Sequence, residues 1–237
     1  MSTPRTIPSP NIWHWPDVYE AENRAQDIEG RIPAALRRIA SWDGVTLVDV
    51  GCGTGFHLPE FASSAARVVG VEPHEPLAAL ARARTAALPN VEVAIGHAES
   101  IPLPSDSVDV VHARTAYFFG SGSGPGITEA MRVLRPGGTL VVVDLDVSAS
   151  PYGQWMHADL PKYDCASVEA FFAAQGFDME RVDTVWEFPD RRTLRAVLRI
   201  EFTSRTAARA ARSVPGLQID VRYRVHWRRK PAGLEVR

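Results

Sequence analysis

The residues best suited to chemistry cluster in Asp49-Val50-Gly51-Cys52-Gly53-Thr54-Gly55, an acid followed by glycines at alternate positions. Glycines just past an apolar run let the backbone turn sharply and approach a ligand that a Cβ would hold off. A helix begun there turns unpaired N–H groups and the positive end of its dipole toward that ligand. Asp49 either hydrogen-bonds the turn or holds an ammonium group. Glu72 lies 21 residues past Gly51 and, with Pro73, ends a second apolar run. A carboxylate at that point can accept both hydroxyls of a ribose. His97, Ala98 and Glu99 follow a third run, where an adenine ring can be read by a backbone N–H and a short polar side chain. A dinucleotide fingerprint wants its third glycine at position 56, which is Phe56. A nucleotide-like cofactor other than a dinucleotide fits these spacings.

The elements that must position these groups follow from periodicity. Short runs rich in β-branched residues at 47–50, 67–72, 91–95, 108–112 and 139–145 read as buried strands. Helical patterns at 58–66, 75–88 and 127–134 separate them, with the glycine-rich bend 120–126 ahead of the last. Alternation of this kind implies an α/β domain with a mostly parallel sheet and helices on both faces. Farther on, 151–164 reads as a loop, 166–175 as a helix and 180–188 as a strand. Two Arg-rich helices fill 191–212. Residues 218–229 alternate Ile219, Val221, Tyr223, Val225 and Trp227 with polar partners. That pattern predicts a half-exposed antiparallel strand at or near the sheet edge. Residues 1–10 read as a disordered tail. Residues 11–40 read as a helical layer, broken by Pro33, that either packs on the main domain or covers the ligand as a lid. In the second case Trp13, Tyr19 and Asn23 face inward.

At 237 residues, 45 % hydrophobic and 23 % charged, the chain can bury a large core without staples. A formal charge of −2 gives no pull toward nucleic acid or an anionic membrane. Cys52 and Cys165 are too few for a metal site or a disulfide framework, and no run reaches membrane-spanning length. A cytoplasmic monomer or homodimer is expected.

Taken together, Asp49 to Gly55 resembles motif I of the class I S-adenosylmethionine-dependent methyltransferases. Val69-Gly70-Val71-Glu72 is similar to their acidic second motif. Gly96 to Glu99, Ile101 to Pro104 and Ser107 to Val111 are similar to the third and fourth, and Leu134 to Leu140 to the turn before the fifth strand. The style is that of the methyltransferase type 11, ubiquinone/menaquinone methyltransferase-like group. The resemblance spans about residues 45–146. It implies a Rossmann-like seven-stranded sheet whose last strand is antiparallel, a methyltransferase domain over 41–237, and S-adenosyl-L-methionine as cofactor with S-adenosyl-L-homocysteine as product. Asp49, Gly51, Cys52, Gly53 and Gly55 would border the methionine moiety, Glu72 and Pro73 the ribose, and His97, Ala98 and Glu99 the adenine. Ala113 and Arg114, at the end of the fourth strand, would complete the cofactor site. The group often has an aspartate where this chain has His97.

Methyl transfer from a sulfonium is an in-line displacement, so alignment and desolvation of the reactants carry the rate. An acceptor hydroxyl would still need a base, and His57 and His157 are the candidates, each equally consistent with a surface or capping role. Trp13, Tyr19, Asn23, Tyr117 and Phe118 suit an apolar or aromatic small-molecule acceptor. The Asn/Asp-Pro-Pro-aromatic segment of base-methylating enzymes is missing at 113–119, which argues against a nucleic-acid acceptor. Two rival classes stand beside this reading, a non-catalytic S-adenosylmethionine-binding protein and an NAD-dependent oxidoreductase.

Overall fold

The computed structural model describes residues 9–117, 120–149 and 151–233. Phe118, and residues 1–8 of the expected tail, lie outside them. Pro10, the last residue of that expected tail, is the first residue of helix α1.

Three helices open the chain: α1 (Pro10–His14), α2 (Pro16–Ala25) and α3 (Arg31–Ile39). Pro33 does not break α3, because it falls in the first turn, where its missing N–H has no helical partner to lose. The alternation follows: β1 (Thr46–Val50), α4 (Leu58–Ala62), β2 (Arg67–Glu72), α5 (Glu75–Thr85), β3 (Val91–Ile95), β4 (Val108–Arg114), α6 (Gly124–Val133) and β5 (Leu134–Leu145). The chain closes with α7 (Tyr152–Asp159), α8 (Cys165–Ala174), β6 (Asp178–Glu187), α9 (Arg191–Glu201), α10 (Ser204–Ser213) and β7 (Gln218–Arg229). Side chains start two of the helices: Asp164 accepts from the Ala166 N–H and Asp190 from the Thr193 N–H.

The strands form one seven-stranded sheet in the order β3-β2-β1-β4-β5-β7-β6. Pairs from β3 to β5 are parallel, and β7 runs antiparallel to both neighbours. One face buries a core that includes Trp42, Phe61, Trp186 and Phe202, and the other a core that includes Ile127, Leu134, Val168 and Phe172. Both faces are therefore covered, as the continuous apolar runs require.

Two expectations need correction. The segment 151–164 is not a plain loop, since Tyr152–Asp159 forms α7. Tyr152 and Trp155 are buried there against Phe202, and tertiary packing of aromatics overrides a weak local preference. Strand β7 is antiparallel and near the edge, as expected, but part of its polar set is not exposed. Arg224 and His226 are buried, with Phe172 of α8 stacked on the His226 ring at 4.4 Å. A second helix layer turned an alternating strand into a doubly covered one.

Candidate active site

The carboxyl ends of β1, β2, β3, β4 and β5 open into a cavity of about 460 Å³, within the usual range for small-molecule sites. Helices α1 and α2 form its outer wall, so Trp13, Tyr19 and Asn23 all line it. Sheet order divides the cavity in two, with β1, β2 and β3 under one half and β4, β5 and β7 under the other.

The glycine turn and Glu72 shape the first half. Gly53 has φ +56°, and its N–H donates to Glu72 Oε2 at 2.9 Å. The His74 N–H donates to Glu72 Oε1, also at 2.9 Å. Each carboxylate oxygen keeps a lone pair for the cavity, which Glu72 lines. Burial raises the Glu72 carboxyl above its ordinary range, and the two N–H groups partly oppose that shift. A Cβ on Gly53 would come within 2.8 Å of Ile12 Cδ1, so helix α1 rests directly on the turn. Asp49 lines the cavity, and its Oδ1 lies 2.8 Å from His112 Nδ1 on β4, with both side chains buried. Gly51, Cys52, Pro73, His97, Ala98 and Glu99 complete this half. Burial pushes the Cys52 thiol far above its usual range, so it is inert. These donors fit an adenosine-bearing cofactor: a ribose-reading carboxylate, a glycine turn without side chains, and an acid beside it.

Three predicted residues stand elsewhere. Gly55 does not line the cavity. A Cβ there would sit 2.9 Å from Ala81 Cβ, so the glycine allows α5 to pack against the turn. Ala113 points into the core rather than the cavity. His157 lies exposed on α7, because Met156 and Leu160, four residues apart, take the inward face of that helix. Trp13 lines the cavity on the β1–β3 side rather than beside Tyr19 and Tyr223, stacked at 4.5 Å on His74, two residues past Glu72. His57 does line the cavity. Burial holds its imidazole well below the usual range, helped by Arg114, His112 and Arg84, so the ring is neutral.

The second half is polar, and of its charged groups the sequence reading named only Arg114 as a site residue, which it assigned to the cofactor site and which here meets Gln26 and Tyr223. Glu22 and Gln26 of α2, Arg114 and Thr115 after β4, Tyr223 of β7 and Glu201 of α9 meet there. Gln26 donates to Glu22 Oε1 at 2.9 Å, and Arg114 donates to Gln26 Oε1 at 2.6 Å. The Arg114 guanidinium lies 5.1 Å from the Tyr223 ring centre. Glu201 accepts from Asn11 Nδ2 at 2.7 Å and from the Tyr152 hydroxyl at 2.9 Å. One signal was present in the sequence, since Glu201 is the lone acid in the Arg-rich helix α9. Tyr117 also lines the cavity, its hydroxyl buried without a hydrogen-bond partner.

The Arg-rich helices pack one apolar face on the domain, while Arg192, Arg195, Arg199, Arg205, Arg209 and Arg212 are exposed. Leu194, Val197 and Leu198 are buried, and Arg191 donates to the carbonyls of Ala211, Val214 and Gly216 at 2.6–2.7 Å. No helix among the described residues is long and apolar enough to cross a membrane.

Comparison with known proteins agrees with this geometry. Residues 48–142 match a family model described as a methyltransferase domain. An uncharacterized methyltransferase of Mycobacterium bovis is 36 % identical over 116 residues, covering 49 % of this chain and 43 % of that protein. A demethylmenaquinone methyltransferase of Clavibacter sepedonicus is 27 % identical over 172 residues, covering 70 % of this chain and 68 % of that one. The YcgJ protein from Bacillus subtilis shares the fold, with a TM-score of 0.62 at 17 % identity, over 84 % of this chain and 98 % of that chain. This chain spans between 31 % and 43 % of the length of the first curated relatives it matches. The matched span holds the glycine turn, Glu72 and the third and fourth motifs, so the part of the chain that shapes the β1–β3 half of the cavity is the part similar to a methyltransferase domain.

Proposed function

We propose that this protein transfers a methyl group from S-adenosylmethionine to a small-molecule acceptor. The observation that carries the reading is the division of one cavity into two chemically distinct halves. The β1–β3 half offers the glycine turn and the Glu72 carboxylate to an adenosine-bearing cofactor. The β4–β5–β7 half offers charged and aromatic groups to a second molecule. The bound cofactor supplies an electrophilic methyl carbon. The residues of this chain hold Glu72 in place through two backbone N–H groups, seat the Ile12 side chain over the turn, and exclude water with α1 and α2. Glu20 on α2 ties this cover down, accepting from Arg84 of α5 at 2.6 Å and from Thr54 at 3.2 Å. Enclosure of this kind aligns the reactants, a gain of up to ~7–11 kcal/mol in near-attack geometry. His57, neutral and at the cavity wall, stays a candidate base, although its depressed basicity makes it a weak one.

Calorimetry with S-adenosylhomocysteine and with NAD tests the cofactor. Micromolar binding of the first and none of the second is expected, and binding of NAD alone would refute the reading. Release of S-adenosylhomocysteine with a panel of phenols, carboxylates, amines and quinone precursors then separates an enzyme from a binding protein.

A further inference from the structure

We infer that the acceptor is an amine, bound as a monovalent cation by the Glu22–Glu201 carboxyl pair. The inference rests on the methyl-transfer reading above and names the substrate class for the same cavity.

Position comes first. Glu22 and Glu201 line the cavity with Arg114, Leu145 and Tyr223, which end β4 and β5 and lie on β7. Glu72 and the glycine turn lie on the other side of β1, so this pair belongs to the acceptor half. Glu22 is only 3 % exposed. Its Oε1 accepts from Gln26, while its Oε2 has no hydrogen-bond partner. Glu201 stands beside it with both oxygens accepting, from Asn11 and from Tyr152. Protonated, Glu22 hydrogen-bonds Glu201; ionised, its Oε2 is a buried acceptor without a donor, which is costly.

Charge then selects the donor. The titratable groups around Glu22 are Glu201 from α9, Arg114 from β4, Tyr19 from α2, Tyr152 from α7 and Tyr223 from β7. The tyrosines stay neutral, because burial holds their phenols protonated. With Glu22 ionised, two carboxylates against one guanidinium leave a single negative charge unmatched, which in the empty site the proton on Glu22 cancels. An ammonium ion takes the place of that proton and brings the N–H donor that ionised Glu22 lacks. A divalent cation would overshoot the charge, and no cluster of three metal-ligating groups among the described residues includes Glu22 or Glu201. An anionic acceptor would meet two carboxyls.

The same pair handles the proton. Burial and the neighbouring Glu201 push the Glu22 carboxyl well above the carboxylate range, so in the empty site Glu22 holds a proton. Binding of the ammonium displaces that proton to solvent. The ammonium then gives a proton to Glu22, and the freed lone pair on nitrogen forms the N–C bond as the methyl C–S bond breaks. Positive charge passes from sulfur to nitrogen. The methylated amine leaves as a cation, and Glu22 keeps the proton it accepted.

Isothermal titration of the S-adenosylhomocysteine-loaded protein at neutral pH tests this. The ligands are butylamine, hexylamine, benzylamine and 2-phenylethylamine, each paired with its alcohol, and magnesium ion as a control. At least one amine should bind about tenfold or more tighter than its alcohol. Titration in buffers of different ionisation enthalpy should report release of close to one proton on binding. Glu22→Gln and Glu201→Gln should each abolish that preference while S-adenosylhomocysteine affinity holds, and either variant suffices if the other does not fold. The bound amine should also release S-adenosylhomocysteine from S-adenosylmethionine in a turnover assay. If S-adenosylhomocysteine binds but no amine exceeds its alcohol, if magnesium competes for the pair, or if the preference survives both substitutions, the amine assignment is wrong and the cofactor reading stands. If S-adenosylhomocysteine itself does not bind, the methyl-transfer reading falls first.

Discussion

Asp49 and His112 sit directly opposite each other in the β1–β4 register, and their side chains meet at 2.8 Å with almost no exposure. The acid that precedes the glycine turn is thus held from below by a histidine 63 residues later. A parallel ladder puts the two side chains on one face of the sheet.

His112→Phe should leave the Asp49 carboxylate buried with one partner fewer. We expect a loss of about 1–3 kcal/mol in stability, the usual cost of an orphaned buried acceptor, together with weaker S-adenosylhomocysteine binding. Urea unfolding checks the first and calorimetry the second. The double variant with Asp49→Asn should lose less than the two single variants summed, since they share one interaction.

Glu72→Ala should weaken cofactor affinity by roughly 1–3 kcal/mol. It should also lower the melting temperature, because the same carboxylate ties the Gly53 and His74 N–H groups together. Calorimetry that finds normal affinity in the variant would remove Glu72 from the cofactor site.

Beneath α8, Asp144 and His226 should oppose each other in the pH dependence of stability. Burial raises the Asp144 carboxyl to about 7 and lowers the His226 imidazole to about 4. The contribution of Asp144 is complete below its unfolded value, about 4, and is lost as pH rises through about 7. The contribution of His226 is complete above its unfolded value, about 6.5, and is lost as pH falls to about 4. The two slopes cancel over most of that interval. Asp144→Asn should expose the histidine slope, with stability rising by up to roughly 1.4 kcal/mol per pH unit between pH ~4 and ~6.5. His226→Phe should expose the aspartate slope, with stability falling over the same range. Denaturation curves collected across pH 4–8 for the three proteins decide it. Parallel profiles would refute the assignment.

Gly55→Ala should destabilise the fold by more than ~1 kcal/mol, since a left-handed backbone and a close neighbour both oppose a methyl group. Gly55 has φ +73°, and a Cβ there meets Ala81 Cβ at 2.9 Å. Gly137→Ala is the matched control, with φ +84° but open space around its Cβ position. The difference between the two melting temperatures isolates the packing of α5 on the glycine turn.

The sequence by itself determined the parallel half of the sheet and the residues that line the β1–β3 half of the cavity. Both depend on short-range signals, since each strand, its turn and the following helix are contiguous, and Gly51, Glu72 and His97 are read at successive strand ends. Tertiary structure alone brought together the acidic side chains of the β4–β5–β7 half. Glu22 and Glu201 stand 179 residues apart, and nothing local to either helix says that α2 lies across α9 in the folded chain. The same holds for β7. Its alternation was legible, but its place between β5 and β6 and the burial of Arg224 and His226 depend on where α8 packs. Periodicity reports which way a side chain points along its own element. What it points at is fixed only when the other elements arrive.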